Sequence, residues 1–251
     1  MKIMMVTSYP PKRPGEKVGW PDLAALTIPT HQRYAQKWGY DYHVDVSDVS
    51  ARMQSQWTDE TKSGYAPLRF MIKFRLLEHF LRQEWCQEQY DWVVWLDADC
   101  LVTRFDRPLT DWMHDYATDF DAAPEGLIGD VVLAKDVNGL HPTVIMVRNC
   151  LRTRGLIYAC RDGGTRMWQM HSWADIMAFR FYFATPPYEH LPVYHWAREL
   201  CAMHPGAYDI PADVRAEHEW TPESLTLHLS ALSIEERCRI AKEYVERLGL
   251  V

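Results

Sequence analysis

The stretch YDWVVWLDADC, residues 90–100, carries the main clue to the fold of this chain. Its five consecutive apolar residues, Trp92–Leu96, are followed at once by two carboxylates one residue apart, Asp97 and Asp99. A short apolar run bounded by polar residues is typical of a strand that is buried on both faces. In open α/β sheets, ligands bind beyond the carboxyl ends of such strands. The sequence therefore predicts a binding site at Asp97 and Asp99.

The chemistry of this carboxylate pair indicates a cation. Two carboxylates held this close repel each other unless a positive charge lies between them. A hard divalent ion such as Mn²⁺ or Mg²⁺, which binds carboxylate and phosphate oxygens together, meets that need. The alternative is structural, with Asp97 capping the turn after the strand. A second triplet with this spacing, Asp119-Phe120-Asp121, has no apolar strand before it and is interpreted as a solvated turn.

Apolar strands alternate with amphipathic helices along the chain, which is the pattern of a parallel α/β sheet. A proline- and glycine-rich segment, 10–21, is predicted to be a loop. Ser233 and Glu236 form a capping box that begins the last helix. With no repeat or linker to interrupt the pattern, one domain over 1–251 is expected. Strands are predicted at 2–8, 40–46, 92–96, 120–123, 130–134, 143–147, 190–196 and 225–230, and helices at 30–38, 67–87, from 108, 150–160, 165–179 and 233–248.

The composition is that of a globular, mildly acidic protein. Apolar residues make up 47%, charged residues 24%, and the formal net charge is −7. This balance argues against a general nucleic-acid binder, which needs a basic face. The six cysteines form no C-x-x-C pair, so free thiols in a reducing compartment are expected. Without a signal peptide or an apolar run of about 18 residues, the length of a membrane span, we expect a complete, soluble, cytoplasmic protein.

The segment YDWVVWLDADCLV resembles the metal-binding strand end of nucleotide-sugar-dependent glycosyltransferases with the type A fold. The segments LRFMIKFRLLEHFLRQ, YAQKWGYDYHVD and PTVIMVRNC are similar to a helix, a helix-strand pair and a strand of one retaining family. That family contains fungal Golgi galactosyl- and mannosyltransferases and plant xyloglucan xylosyltransferases. The resemblance implies a Rossmann-like, mostly parallel sheet flanked by helices. It also implies a nucleotide-binding half, 1–105, and a smaller acceptor-binding half with the C-terminal helix, 106–251.

The implied activity is transfer of a sugar from a nucleoside-diphosphate sugar to an acceptor hydroxyl. UDP is the commonest nucleotide in such enzymes, and the family resemblance favours retention, hence an alpha linkage. Two departures from the family pattern stand out. His141-Pro142-Thr143 replaces the usual Asn-x-Gly, and Asp175-Ile176 stands where Asp-Gln is frequent. We therefore expect sugar recognition to differ from that of the family.

The same resemblance assigns candidate site residues at both ends of the chain. His228, on the apolar stretch LTLHLS, matches the late histidine that completes the metal site. Its alternative role is that of a core histidine bonded to a backbone carbonyl, whereas His218 is expected at the surface. Thr7, Ser8 and Tyr9 end the first strand, where the base and ribose of the nucleotide lie in this fold.

Charged residues on two helices complete the set. Arg69 and Lys73 lie one turn apart, and a cation there could neutralise the diphosphate leaving group. The alternative for Lys73 is a side chain that extends from the core to solvent. Asp175, on an aromatic-rich helix, could bind sugar hydroxyls or contact the reacting carbon. It could equally pair with Arg166 or Arg180.

Two other functions remain open from the sequence. Phosphatases of the haloacid-dehalogenase type also place Asp-x-Asp after an apolar strand. Those proteins have Thr or Val four residues after the first Asp, near the N-terminus, whereas this chain has Leu101 there, in mid-chain. The other alternative is a nucleotide-sugar- or carbohydrate-binding protein without turnover. The donor sugar, the acceptor and the oligomeric state are not determined by these patterns.

Overall fold

The structure, a computed structural model, describes residues 1–12, 14–46, 71–118, 130–136, 139–167, 174–183, 193–197, 202–204, 218–230 and 232–251. The strands are β1 Ile3–Ser8, β2 Asp41–Asp45, β3 Trp92–Leu96, β4 Cys100–Val102, β5 Val131–Asp136, β6 Gly139–Arg148, β7 Val193–Ala197, β8 Ala202–Met203 and β9 Thr226–His228. The helices are α1 Trp20–Trp38, α2 Ile72–Arg82, α3 Glu84–Gln89, α4 Leu109–Thr118, α5 Leu151–Met167, α6 Ala174–Phe183 and α7 Ile234–Leu248.

The central sheet has six strands in the order β2-β1-β3-β6-β5-β7. The pairs β1/β2, β1/β3 and β5/β7 are parallel, and β6 runs antiparallel to both β3 and β5. The expected mixed α/β fold with a mostly parallel sheet is confirmed. Because Leu96 pairs with Val144, the beginning of β6 lies beside the carboxyl end of β3. The segment around 141–143 therefore reaches the edge where Asp97 follows β3.

Strand β3 is buried on both faces, as its apolar run predicts. Val93 and Trp95 pack against α2, α5 and α6 in one core. Phe74 and Phe179 belong to this core. The alternate residues, such as Val94, pack in a second core with α1 and α4. Because alternate residues of a strand share a face, Asp97 continues the row of Val93 and Trp95. Its side chain is thereby directed to the layer of α2 and α6.

A second sheet, β4-β9-β8, carries the other half of the candidate site. It packs with α1 and α7 in a third core that includes Leu101, Leu227 and Tyr244. The predicted capping box of α7 is present. Ser233 Oγ accepts from the Glu236 N–H at 3.3 Å, and a Glu236 carboxylate oxygen accepts from the Ser233 N–H at 3.0 Å. Strands β4 and β8 were not predicted, since two- and three-residue strands have no periodicity of their own.

Helix α1 begins at Trp20, so the prediction of its start at Thr30 was wrong. Gly19 precedes the helix, and its N–H donates to Asp22 at 2.7 Å. Proline is tolerated in a first helical turn, and Pro29 lies inside the helix without ending it. The C-terminal end is as predicted, because Gly39 adopts φ 68° and stops the helix.

The other helices depart less from prediction. The expected helix 67–87 is divided into α2 and α3, because Gln83 adopts an extended conformation with ψ 129°. The predicted helix 150–160 corresponds to α5, which continues to Met167, past the predicted start of the next helix at 165. The predicted helix 165–179 overlaps α6, which begins at Ala174 and ends at Phe183. Arg69, the predicted strand 120–123 and the triplet Asp119-Phe120-Asp121 lie outside the described residues. In the described ranges, no helix is both long and apolar enough for a membrane span. The five described cysteines are free thiols.

Candidate functional site

Asp97 lies where β3 ends and faces the layer of α2 and α6. The Trp95 indole N–H donates to Asp97 Oδ1 at 2.5 Å, as expected for two residues on one face of a strand. The backbone N–H of Asp97 donates to the Thr143 carbonyl at 2.9 Å. Its carboxylate therefore accepts hydrogen bonds from its surroundings and does not cap the following turn. That turn is closed by the Cys100 N–H, which donates to the Asp97 carbonyl at 3.1 Å.

Lys73 is the cation beside Asp97. Its Nζ lies 3.2 Å from Asp97 Oδ1 and 2.8 Å from Asp175 Oδ2, and it donates to the Pro142 carbonyl at 2.9 Å. Because an ammonium group has three donor hydrogens, these three acceptors satisfy it. Lys73 is only 3% exposed, so the alternative in which its side chain extends to solvent was wrong. Burial lowers the pKa of Lys73, but Asp175 and Asp97 outweigh it and hold the pKa above its ordinary value.

Asp175 is buried in the first turn of α6 and is held at both oxygens. Oδ2 faces Lys73, and Oδ1 accepts from the Ile176 N–H at 3.0 Å. The sequence placed Asp175 on a separate helix from Lys73 without predicting that the two form a pair. The side chains of Arg166 and Arg180, its alternative partners, lie outside the described part of the structure.

Asp99 and His228 are brought together by the second sheet. Cys100 of β4 pairs with His228 of β9, and the Leu229 N–H donates to the Asp99 carbonyl at 3.0 Å. His228 Nε2 lies 3.5 Å from Asp99 Oδ1. Both residues are buried, at 6% exposure for Asp99 and 4% for His228. The late histidine predicted from the resemblance therefore lies beside the carboxylate of Asp99.

Arg237, in the first turns of α7, is a site residue that the sequence reasoning missed. Its guanidinium lies 2.5 Å from Asp99 Oδ2. Burial raises the pKa of Asp99, but His228 and Arg237 outweigh burial and hold the pKa well below its ordinary value. No pattern within α7 distinguishes Arg237 from the other basic residues of that helix. The contact of Arg237 with Asp99 becomes visible only when α7 is packed on α1.

The pKa of Asp97 also depends on neighbouring charged residues. Burial raises the pKa of Asp97, Lys73 lowers it, and Asp99 raises it again, so that it stays above its ordinary value. His228 also acts on this pKa. The two carboxylates have separate cationic partners, Lys73 for Asp97 and Arg237 for Asp99.

The donor atoms of this cluster fit a divalent ion. A carboxylate oxygen of Asp99, a ring nitrogen of His228 and the Cys100 sulfur all lie within 4.8 Å of one another. Oxygen and imidazole ligands suit Mn²⁺, whereas a thiolate is a softer ligand that Mn²⁺ and Mg²⁺ do not favour. Asp99 and His228 are therefore the suitable ligands in this group, and the Asp97 carboxylate, which contacts Lys73, is not one of its members. Metal binding by Asp97, Asp99 and His228 stays a prediction.

A buried polar row on α1 holds the turn that carries the two aspartates. Thr27 Oγ donates to the Ala98 carbonyl at 2.7 Å, and the Val102 N–H donates to Thr30 Oγ at 3.0 Å. His31 Nε2 lies 2.8 Å from the Cys100 carbonyl oxygen. Thr27, Thr30 and His31 share one face of the helix at the spacing of a helical turn. The spacing of these polar residues could have indicated their shared role from the sequence. It was missed because the helix was predicted to start at Thr30, which left Thr27 outside it.

The end of β1 gives different roles to its three candidate residues. Thr7 is fully buried, and its hydroxyl donates to the Leu96 carbonyl at 2.7 Å. This hydroxyl is thus committed to the contact between β1 and β3, so it is not available to a nucleotide in this arrangement. Ser8 Oγ lies 3.4 Å from a carboxylate oxygen of Asp45, and the Tyr9 N–H donates to the Asp45 carbonyl at 3.2 Å. Ser8 and Tyr9 are half-buried at the sheet edge.

The segment that departs from the family pattern lines the site. The His141 ring centroid lies 5.0 Å from that of His228, and the Pro142 and Thr143 carbonyls accept from Lys73 and Asp97. His218, expected at the surface, is only 8% exposed, so that prediction was wrong. Its segment is anchored by Trp220, whose indole N–H donates to Thr103 at 2.9 Å.

Comparison with known proteins supplies a likeness of fold. No protein-family model and no curated protein matches the chain. A glycosyltransferase involved in glycosylation of the major capsid of PBCV-1 matches 97% of this chain and 100% of its own, with a TM-score of 0.61 and 13% identity. The glycosyltransferase GlyE of Streptococcus pneumoniae TIGR4 matches 99% of this chain and 64% of its own, with a TM-score of 0.52 and 12% identity.

Mouse xyloside xylosyltransferase 1 also matches, over 91% of this chain and 98% of its own, with a TM-score of 0.50 and 7% identity. The bifunctional glycosyltransferase WbbM matches 99% of this chain and 50% of its own, with a TM-score of 0.54 and 12% identity. At such low identities the shared property is the arrangement of helices and strands. This chain therefore has the fold of the glycosyltransferases that it matches.

Proposed function

We propose that this protein is a metal-dependent glycosyltransferase that moves a sugar from a nucleoside-diphosphate sugar, with UDP as the nucleotide, to an acceptor hydroxyl with retention. The observation that carries the proposal is the contact of Asp99 with His228 at 3.5 Å, in the turn after β3 that also contains Asp97. It lies in a fold shared with glycosyltransferases. Carboxylate and imidazole ligands at that place suit an ion that also binds a diphosphate.

The donor would lie across the sheet edge, with its base and ribose near Ser8 and Tyr9. We assign the nucleotide to the half 1–105 and the acceptor to the half 106–251. Asp97, Asp99 and His228 would hold Mn²⁺ or Mg²⁺, which when bound supplies Lewis-acid stabilisation of the departing diphosphate. Thr27, Thr30 and His31 keep the ligand-bearing turn fixed through its backbone, so the carboxylates are preorganised.

Lys73 and Asp175 have linked roles in this proposal. Since the three hydrogens of Lys73 are already donated, its positive charge acts on the site through Asp97 and Asp175. We assign direct contact with the diphosphate to Arg69, the other cation proposed one turn from Lys73. Asp175 would bind the sugar hydroxyls, because its contact with Lys73 at 2.8 Å holds its carboxylate in place.

The geometry of Asp175 also bears on the route to retention. A nucleophilic carboxylate needs a free oxygen that can approach the anomeric carbon. Both oxygens of Asp175 are engaged, Oδ2 by Lys73 and Oδ1 by the Ile176 N–H. This arrangement favours attack by the acceptor on the face that the diphosphate leaves, with the departing phosphate taking the acceptor proton.

The experiment is a panel of nucleotide sugars tested with the purified protein and Mn²⁺. One donor should raise the melting temperature, because a ligand that binds only the folded state stabilises it. The same donor should be hydrolysed slowly, EDTA should stop the hydrolysis, and added Mn²⁺ should restore it. Hydrolysis that EDTA leaves unchanged would contradict the metal dependence, and absence of both binding and hydrolysis over the panel would contradict the function.

A non-catalytic nucleotide-sugar-binding protein is the second candidate. It is favoured by His141-Pro142-Thr143, the departure from the family pattern that lines the site. The same panel separates the two functions, because a binding protein would be stabilised by a donor without releasing sugar, with acceptors present or absent. A phosphatase is disfavoured, since the Asp97 carboxylate that would have to attack phosphate is held by Trp95 and Lys73.

A further inference from the structure

Arg237 forms an ion pair with Asp99, a carboxylate that the proposed function assigns to a metal ion. Its guanidinium donates to Asp99 Oδ2 at 2.5 Å and, through Nε, to the Leu232 carbonyl at 2.9 Å. The guanidinium carbon also lies 5.5 Å from the centroid of the Trp20 ring. The side chain is 17% exposed. Arg237 is thus held in place by a carboxylate, a carbonyl and an aromatic ring.

Arg237 lies at a position in α7 that is electrostatically unfavourable for a cation. The residue lies one turn after Ser233, at the N-terminal end of the helix, where the helix dipole disfavours a cation. The acidic residues that normally occupy such a turn are present as Glu235 and Glu236. Of the three groups that hold the guanidinium, only Asp99 carries a negative charge. The attraction of Asp99 is therefore the main electrostatic reason for Arg237 to lie at the site.

We propose that Arg237 is an internal counter-ion of Asp99, which a divalent cation has to displace in order to bind there. The inference rests on the proposed function, because it takes Asp99 and His228 as metal ligands. Oδ2 of Asp99 is engaged by Arg237 while Oδ1 faces His228. An ion bound between Asp99 and His228 would lie beside the guanidinium and repel it. Arg237 therefore opposes ion binding, and it balances the charge of Asp99 until an ion displaces it.

An opposite role for Arg237 is physically reasonable and makes the inference testable. Carboxylates that ligate metals are often held by hydrogen bonds from neighbouring residues, and loss of such a partner lowers metal affinity about 10- to 100-fold. If Arg237 supported Asp99 in that way, its removal would weaken ion binding. If Arg237 competes with the ion, its removal strengthens binding. The two roles predict opposite signs for one measurement.

The test is a titration of Mn²⁺ into the protein without nucleotide, with free Mn²⁺ counted by electron paramagnetic resonance. Arg237→Met and Arg237→Gln remove the charge, and the second variant keeps a polar group in case the first fails to fold. We expect the dissociation constant for Mn²⁺ to fall about 5- to 150-fold in both, the usual range for coupling between two ligands. The matched control is Arg239→Met, since Arg239 is exposed on the same helix and pairs with Glu243 at 3.6 Å. The control should stay within about twofold of the wild type, as expected for an exposed pair.

Unchanged or weaker Mn²⁺ binding in the folded Arg237 variants would overturn the inference. If the wild type binds Mn²⁺ and hydrolyses a donor in that case, the proposed function stands without it. If neither the wild type nor any variant binds Mn²⁺, the ion site itself is wrong and the inference fails with it. Binding that is detectable only after Arg237 is replaced would be the strongest support for displacement.

Discussion

The ammonium group of Lys73 lies 2.8 Å from a carboxylate oxygen of Asp175, which joins helix α2 to the first turn of α6 beneath the edge of the central sheet. The same ammonium group contacts Asp97 at 3.2 Å. One buried cation therefore holds a proposed metal ligand and a proposed sugar ligand in fixed positions. This three-residue contact adds to the hydrogen bonds from α1 that hold the Asp97–Asp99 turn.

Replacement of Lys73 should be costly to the fold. Lys73→Met leaves Asp97 and Asp175 buried without their cation, and loss of one partner of a buried ion pair costs about 3–5 kcal/mol. We expect the free energy of unfolding, measured by urea denaturation, to fall by about that amount. Lys242→Met is the control, because Lys242 is exposed and pairs with Glu246 at 3.9 Å, which should cost under about 1 kcal/mol. Equal effects of the two substitutions would show that the contact of Lys73 with its carboxylates contributes little.

Replacement of Asp99 should remove metal-dependent turnover. Asp99→Asn keeps the shape of the side chain but loses the charge that faces His228 and Arg237. Donor hydrolysis at saturating Mn²⁺ should fall at least about 100-fold, the upper end of the loss found even for outer partners of metal sites. Asp106→Asn, at an exposed aspartate paired with Arg104 at 2.9 Å, should leave hydrolysis unchanged. Wild-type turnover in Asp99→Asn would remove Asp99 from the site.

Two buried histidines provide a matched pair for the ligand assignment. His228→Ala should lower Mn²⁺ affinity at least about 10-fold, since a ring nitrogen next to Asp99 is lost. His218→Ala should leave the affinity unchanged, although His218 is almost as deeply buried. Calorimetric titration of Mn²⁺ measures both. Similar losses in the two variants would indicate a general effect of disturbed packing and not the loss of a ligand.

The pH dependence of stability should report the burial of His31. Burial lowers the pKa of His31 from 6.5 to about 4, although the Cys100 carbonyl and Asp99 act in the opposite direction. Between these two pH values the unfolded chain binds a proton at His31 and the folded chain does not. The stability contributed by neutral His31 is complete above pH 6.5 and is lost as the pH falls toward 4. The corresponding slope is at most about 1.4 kcal/mol per pH unit.

Urea denaturation of wild type and His31→Gln between pH 7 and pH 4.5 measures this slope. The variant should lose stability less steeply on acidification, because glutamine does not titrate. Its stability at neutral pH is also expected to be lower, since the contact with the Cys100 carbonyl at 2.8 Å is altered. Parallel curves for the two proteins would show that His31 is not held neutral by the fold.

The sequence predicted the features that depend on local pattern. Strand β3 was recognisable because Trp92–Leu96 is a continuous apolar run with charges on both sides. The capping box of Ser233 and Glu236 located the start of α7. Gly39 located the end of α1, because a positive φ favours glycine. Each of these signals lies within a few residues of the feature that it predicts.

The features that sequence reasoning missed depend on packing between distant segments. Arg237 and Asp99 are 138 positions apart, and nothing near Arg237 marks it as a partner. The first helix was predicted to start at Thr30, yet α1 begins at Trp20 and continues through Pro29. This error concealed Thr27 as a residue that supports the Asp97–Asp99 turn. Thr7 was assigned to the nucleotide, but its hydroxyl is used in the contact between β1 and β3.

The metal site can be located by the anomalous scattering of manganese in crystals grown with Mn²⁺ and UDP. We expect one strong anomalous peak bonded to Asp99 and His228, with Asp97 and the diphosphate next to it. A map that shows UDP at the sheet edge with no peak in this cluster, or with the ion bound elsewhere, would contradict this expectation.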